Sequence, residues 1–366
     1  MPSFRIQKSM RFPPFKLLHV FTEDPSFKYN ISASDMLPAS LNDVNLIIDD
    51  SNLAETHPHG NPELRELLAE QHDMNMENIL VTAGCSEANF DVCAALLRPG
   101  DEAVVVIPNY PPLRDLPKGL GAKIKQVKLR YEDDFQINLD TLEEAITKKT
   151  RLVILTNINN PTSAIIDKRQ ISEIGDLADK RKFYVLWDET FRELAFEKCP
   201  PTAAVFGERM VVTNTMSKVY GMDGLRLGWI VASGAILSRI TNVTDYVTVT
   251  PPALSEKITL AVLKEKGKFL KRTKDILSRN KVIVNYWLKR NDKVHWKDPG
   301  IGNIAFPKVD TDVDHLADML LERYSTVIAS GTLFGMKGYF RLGFGRDAIE
   351  LRKGLENFDE ALQLLE

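Results

Sequence analysis

Five short runs in this chain are almost wholly apolar: NILVT (78–82), AVVVI (103–107), RLVILTN (151–157), FYVLW (183–187) and MVVTN (210–214). A strand with one face in water alternates apolar and polar residues, so a strand that is apolar throughout is covered on both faces. Segments with helical spacing lie between these runs: GCSEANFDVCAALL (84–97), LDTLEEAITKK (139–149) and RQISEIGDLADK (169–180). A helix is also expected from Pro62, in NPELRELLAEQHD, with Leu64, Leu67 and Leu68 on one face. KIKQVKL (123–129) and the stretch from Leu225 to Ala232 read as further strands. Strands alternating with helices predict an α/β chain with a mostly parallel sheet between two helical layers.

The two ends differ from this pattern. Residues 1–45 are irregular and read as an extended arm, and from Leu254 the chain turns helical and lysine-rich, as two helices split near Gly267. The expected division is an arm over 1–45 joining a smaller C-terminal α/β domain over 271–366, and a three-layer large domain over 46–270. With 27% charged residues and a net charge of −3, bulk charge gives no reason to expect nucleic acid as a partner. No apolar run reaches the roughly 18 residues of a membrane helix. The N-terminus, MPSFRIQKSMRFPPFKLL, lacks a signal-peptide core, so a cytoplasmic protein is expected. Three cysteines make neither a disulfide framework nor a metal-ligand pattern, and no GxGxxG fingerprint is present. The lone histidines, His72 among them, have no partner at a useful spacing.

In an open α/β sheet, ligands collect beyond the carboxyl ends of the strands. Gly84 and Cys85 open a helix after NILVT, where free N–H groups suit an anion. Tyr110 follows AVVVI as an exposed aromatic, Asn159 and Asn160 follow RLVILTN, and Asp188 follows FYVLW. Thr215, Ser217 and Lys218 follow MVVTN, with Lys218 in a polar loop that continues into Gly221, Gly224, Arg226 and Gly228. An anion cradle, an aromatic plate, amides, a carboxylate and an amine describe a pocket for a flat heteroaromatic phosphate carrying a carbonyl. Pyridoxal 5′-phosphate has each of these features.

TAGCSEA (82–88), PNYPP (108–112), NINNPTS (157–163), WDETF (187–191), SKVYGMDGLRLGW (217–229) and GTLFGMKGYFRLGFG (331–345) occur in the order found in the class I/II aminotransferases, which the chain resembles. The resemblance implies fold type I, pyridoxal phosphate as cofactor, and a homodimer with shared active sites. It implies that Lys218 forms the internal aldimine, that Asp188 pairs with the pyridine nitrogen, and that Asn160 bonds the phenolic oxygen. Tyr110 would stack on the ring. Gly84, Cys85, Thr215, Ser217 and Arg226 would hold the phosphate, Arg341 the substrate α-carboxylate, and Asn160 would also contact the substrate. The expected reaction converts an amino acid to its 2-oxo acid, with 2-oxoglutarate as a candidate acceptor.

Three positions depart from the family pattern. Phe191 stands where the family usually has tyrosine, Ser163 replaces a glycine, and His57 is the nearest candidate for a tyrosine that reaches the partner's phosphate. Another reaction of the same cofactor (decarboxylation, elimination or oxidation) therefore stays open, as does a cofactor-binding regulator without turnover. The donor side chain is also open, although Arg5, Lys8 and Arg11 in the arm could meet an acidic substrate.

Overall fold

The computed structural model describes residues 12–22, 27–46 and 56–365, so Arg5, Lys8 and Arg11 and part of the arm lie outside the described residues. After a two-residue strand, β1 (Tyr29–Asn30), come β2 (Ile79–Thr82), β3 (Glu102–Ile107), β4 (Lys123–Lys128), β5 (Thr150–Thr156), β6 (Tyr184–Asp188), β7 (Met210–Thr215) and β8 (Gly228–Val231). Among the described residues, strands β2 to β8 form one seven-stranded sheet in the order β2-β8-β7-β6-β5-β3-β4. Only β8 runs against its neighbours.

The apolar runs are buried on both faces, as their composition predicts. Val185 and Trp187 of β6 join Val153, Val212 and Trp229 in a core with helix Lys168–Arg181. Leu186 joins Ile154, Val211 and Ile230 in a second core, with helices Cys85–Leu96 and Gly234–Val247. Two cores on opposite faces of one sheet make the three-layer arrangement. The edge strand β4 exposes Lys123 and Lys128, and charge of this kind discourages further pairing.

The later strands are β9 (Val294–His295), β10 (Ile304–Ala305), β11 (Lys308–Val309), β12 (Thr326–Val327), β13 (Ala329–Ser330) and β14 (Phe340–Gly343). β14 lies antiparallel between β10 and β13, and helices Val313–Tyr324 and Ala348–Gln363 accompany them. β1 pairs parallel with β12, Tyr29 opposite Thr326, which ties the N-terminal segment to the C-terminal one.

Several expectations need correction. The arm is not wholly extended, because Lys16–Thr22 is helical. Helix Gly234–Val247 was not anticipated, although Ile236, Leu237, Ile240 and Thr244 give its buried face. The C-terminal stretch is two helices as expected, divided at Glu265, two residues before Gly267, which lies inside helix Lys266–Arg290. The last sheet strand begins at Gly228, not Leu225, because Asp223–Leu225 forms a tight turn and Arg226 is left-handed with φ 48°. Lys218 sits not in a loop but on a single helical turn, Ser217–Tyr220. Among the described residues no helix is long and apolar enough to cross a membrane.

Candidate functional site

Nine of the ten residues to which the resemblance gives a cofactor or substrate role line one cavity of about 430 Å³. Cys85, Tyr110 and Asn160 come from the chain beyond β2, β3 and β5. Asp188 ends β6, Thr215 ends β7, and Ser217, Lys218 and Arg226 follow. Arg341 enters from β14. The parallel strands point their carboxyl ends to one edge, so residues distant in sequence arrive together.

The tenth residue, Gly84, closes the cradle. It precedes helix Cys85–Leu96 with φ +93°, a conformation that favours glycine, and an added Cβ would lie 2.6 Å from Arg226 Nη2. Gly228 packs on the same corner, where a Cβ would lie 2.8 Å from the Cys85 nitrogen and 2.7 Å from the Gly84 carbonyl carbon. Thr215 Oγ1 donates to the Leu227 carbonyl at 2.8 Å and lies 3.1 Å from the Ser217 hydroxyl. Arg226 is exposed, and its Nη1 donates to the Asp223 carbonyl at 3.1 Å.

Asp188 is buried against neutral groups. Its Oδ2 accepts from Asn89 Nδ2 at 3.1 Å and from the Cys85 thiol at 3.7 Å, and its Oδ1 accepts from the Thr190 N–H at 2.9 Å. Asn89 is itself held by the Thr213 hydroxyl, which donates to its Oδ1 at 2.7 Å. Burial pushes the Asp188 carboxyl up, and the bonds from Thr190, Asn89 and Cys85 pull against that rise. Among the described residues no ion pair forms to Asp188. The Cys85 thiol is pushed up by burial and by Asp188, so it remains a neutral donor. The sequence pointed only to its backbone.

Lys218 Nζ contacts Asp35 Oδ1, and Asp223 Oδ1 stands 3.7 Å away. Burial acts to raise the Asp35 carboxyl, but Lys218, with Arg341 and Arg346 behind it, holds it below the usual carboxylate range. Arg341 is buried over the Phe334 ring. Its Nε donates to the Ser32 carbonyl at 2.9 Å and its Nη1 to Asn160 Oδ1 at 3.2 Å. Burial lowers the guanidinium to about 10 against the pull of Asp35 and Tyr110, which still leaves a cation at neutral pH.

Tyr110 is half-buried rather than exposed and meets Phe15 edge-on at 5.7 Å. Phe15 lines the cavity with Leu17 and Phe21, beside helix Lys16–Thr22. Phe191 presents only carbon to the wall. Ser163 has φ 59°, where glycine would be unstrained, and its hydroxyl donates to the Ile304 carbonyl at 2.7 Å. His57 is not among the residues lining the cavity of this single chain. His72 does have a partner, since its Nε2 accepts from Trp229 Nε1 at 3.0 Å in the core.

Asn30, Ser34, Asp35, Asn89, Thr156 and Thr190 are among the polar side chains lining the cavity that sequence reasoning did not single out. Asn89 carried a signal, one helical turn after Cys85 on the same face. Asp35 carried none, because its place depends on the pairing of β1 with β12.

A family model for aminotransferase class I and II matches residues 33–358. The chain is 28% identical over 319 residues to an aspartate aminotransferase of Pyrococcus horikoshii, covering 83% of this chain and 82% of that protein. It is 32% identical over 289 residues to a capreomycidine synthase of Streptomyces vinaceus, covering 78% and 74%. The crystal structure of a pyridoxal-phosphate-dependent aminotransferase from Streptococcus suis superposes with a TM-score of 0.91 at 25% identity, over 98% of this chain and 99% of that one.

Proposed function

The chain belongs to the class I and II aminotransferase family, and on that premise we propose that it moves the amino group of an amino acid to a 2-oxo acid. Its cofactor is pyridoxal 5′-phosphate, on which the family and its structural neighbours depend.

The residues present fit that group. Asp188 is a buried carboxylate with neutral partners, so a protonated ring nitrogen would meet the charge that burial leaves uncompensated. The corner between Gly84, Gly228 and Arg226 has no room for a side chain and presents a helix N-terminus, which suits a phosphate. Lys218 Nζ would hold the aldehyde carbon, Asn160 the phenolic oxygen and Tyr110 the ring face. Backbone N–H groups of Gly84 and Cys85, with Thr215, Ser217 and Arg226, would hold the phosphate. When bound, the cofactor supplies an electron sink for charge left at the substrate Cα.

The chain's own residues supply the rest. Arg341 binds the substrate carboxylate, and its bonds to Ser32 and Asn160 fix the guanidinium plane and so orient the Cα–H bond. Lys218 Nζ, once free, would take the Cα proton as general base and return it, as general acid, at the carbon on the other side of the substrate nitrogen. Phe15, Leu17 and Phe21 cover the cavity and limit water. Asn89, held by Thr213, keeps Asp188 aimed.

The observation that carries this reading is the convergence of Lys218, Asp188 and Arg341 on one cavity. The test is a panel of amino acids added to the cofactor-loaded protein, with the absorption spectrum followed and the released 2-oxo acid assayed. Release of oxo acid, with 2-oxoglutarate then restoring the spectrum, supports transamination. Carbon dioxide, ammonia or peroxide as products would replace it with another reaction of the same cofactor. That second reading draws on Phe191 and on the relative named capreomycidine synthase. No response to any amino acid would leave a non-catalytic binder. We further propose a homodimer, supported by the exposed apolar stretch Tyr246, Val247, Val249 and Leu254; light scattering that returns a monomer would remove it.

A further inference from the structure

We propose that Asp35 and Arg341 form a two-point seat for the amino-acid zwitterion, with Arg341 taking the carboxylate and Asp35 the α-ammonium. The proposal rests on the Lys218 reading above and adds a substrate-binding residue to it.

The argument begins with the nitrogen. Asp35 Oδ1 is in contact with Lys218 Nζ. An amine that takes the place of Lys218 must come to where Nζ now stands, so the carboxylate that faces one nitrogen faces the other. In the free chain the lysine ammonium occupies the position that the substrate ammonium later takes.

The second point is set by the same segment. Arg341 Nε bonds the Ser32 carbonyl, three residues before Asp35, so one stretch of backbone positions both charges. That stretch is pinned on several sides. Ile31, Ser32 and Met36 are buried. The Gly343 N–H donates to the Ile31 carbonyl at 2.8 Å, the Leu37 N–H donates to the Gly345 carbonyl at 2.7 Å, and Asn303 Nδ2 donates to the Ser34 carbonyl at 2.8 Å. A seat built this way is ordered before substrate arrives, which reduces the cost of binding. Lys218, Arg341 and Arg346 keep Asp35 ionised at neutral pH.

The seat also discriminates. A ligand with the same carboxylate and no ammonium meets Arg341 favourably but has no cation to offer Asp35. The amino acid is therefore held over its deaminated counterpart.

The test uses the cofactor-loaded protein with 2-aminoisobutyrate, which has no Cα hydrogen to lose, and with isobutyrate, each titrated by calorimetry. The wild-type protein is expected to bind the amino compound more tightly. Asp35→Asn should cut that preference about tenfold or more, the range for a lost charge-assisted hydrogen bond. Isobutyrate should bind as before or more tightly. Asp35→Glu, which keeps the charge, should fall between the two. A wild-type protein without the preference overturns the seat, as does an Asp35→Asn protein that keeps it or that loses both ligands equally. Borohydride treatment with peptide mapping separates the two readings. If Lys218 is labelled and the preference is unchanged in Asp35→Asn, only the seat fails. If Lys218 is unlabelled, the functional reading fails with it.

Discussion

Gly228→Ala tests whether the cradle depends on close packing of backbone. The added carbon would lie 2.6 Å from the Asn214 carbonyl oxygen, 2.7 Å from the Gly84 carbonyl carbon and 2.8 Å from the Cys85 nitrogen. These atoms sit about 0.6–0.8 Å inside ordinary contact, and all are backbone, so none can rotate aside as a side-chain tip would. Forced overpacking of this kind costs about 1–3 kcal/mol, and the upper part of that range applies here. An unfolding entropy of about 2.1 cal/mol/K per residue gives roughly 0.8 kcal/mol/K for this chain, so the melting temperature should drop about 3–4 °C. The strain is relieved by pushing Gly84 and Cys85 away from β8, which moves the N–H groups proposed to hold the phosphate. A tenfold loss of cofactor affinity would remove about 1.4 kcal/mol of the stabilisation that added cofactor gives. Thermal melts with and without pyridoxal phosphate read both effects. Gly224→Ala is the control, since nothing lies within 4 Å of its added carbon. If Gly228→Ala and Gly224→Ala both melt like the wild type and respond equally to cofactor, the cradle argument is wrong.

Other predictions follow from single groups. Burial pushes the Asp91 carboxyl from 3.8 to about 7, against a hydrogen bond from Thr244 Oγ1, so its stabilising contribution is complete below about pH 4 and lost as pH rises through about 7. The urea midpoint should fall between pH 5 and pH 8, and Asp91→Asn should flatten that fall; an identical slope in both proteins would exclude Asp91 as its source. Trp229→Phe leaves the buried His72 Nε2 without its donor and should cost about 1–3 kcal/mol in urea unfolding. Asp188→Ala should slow turnover by more than about a hundredfold, because the ring nitrogen loses its counter-charge; steady-state rates within a fewfold of wild type would take Asp188 out of the mechanism. Lys218→Ala should retain cofactor after dialysis yet fail to turn over, and normal rates would refute the site.

What the sequence disclosed, and what it withheld, divide along a physical line. AVVVI and MVVTN could be read as doubly covered strands because a two-sided core demands apolar residues at every position. Once a parallel sheet is granted, Thr215, Asp188 and Asn160 must emerge along one edge, whatever their separation in sequence. The glycines near Lys218 divide in the same way. Gly221, with φ +68° and an added Cβ 2.6 Å from the Leu37 carbonyl, and Gly228 answer to packing, while Gly224 answers to nothing nearby, and their spacing alone cannot tell them apart. Asp35 lies beyond such reasoning. It reaches Lys218 because β1 joins β12, almost 300 residues later, and because Gly343 leaves room for the Ala33 carbonyl, which a Cβ there would approach to 1.7 Å. No periodicity near Asp35 encodes that contact. A residue delivered to a site by its own strand can be found by reading that strand, whereas one delivered by a distant pairing appears only when the pairing is seen. The carboxylate closest to the reacting amine belongs to the second kind, so the recognised motifs alone describe a pocket for the cofactor and leave out the group we propose receives the substrate's nitrogen.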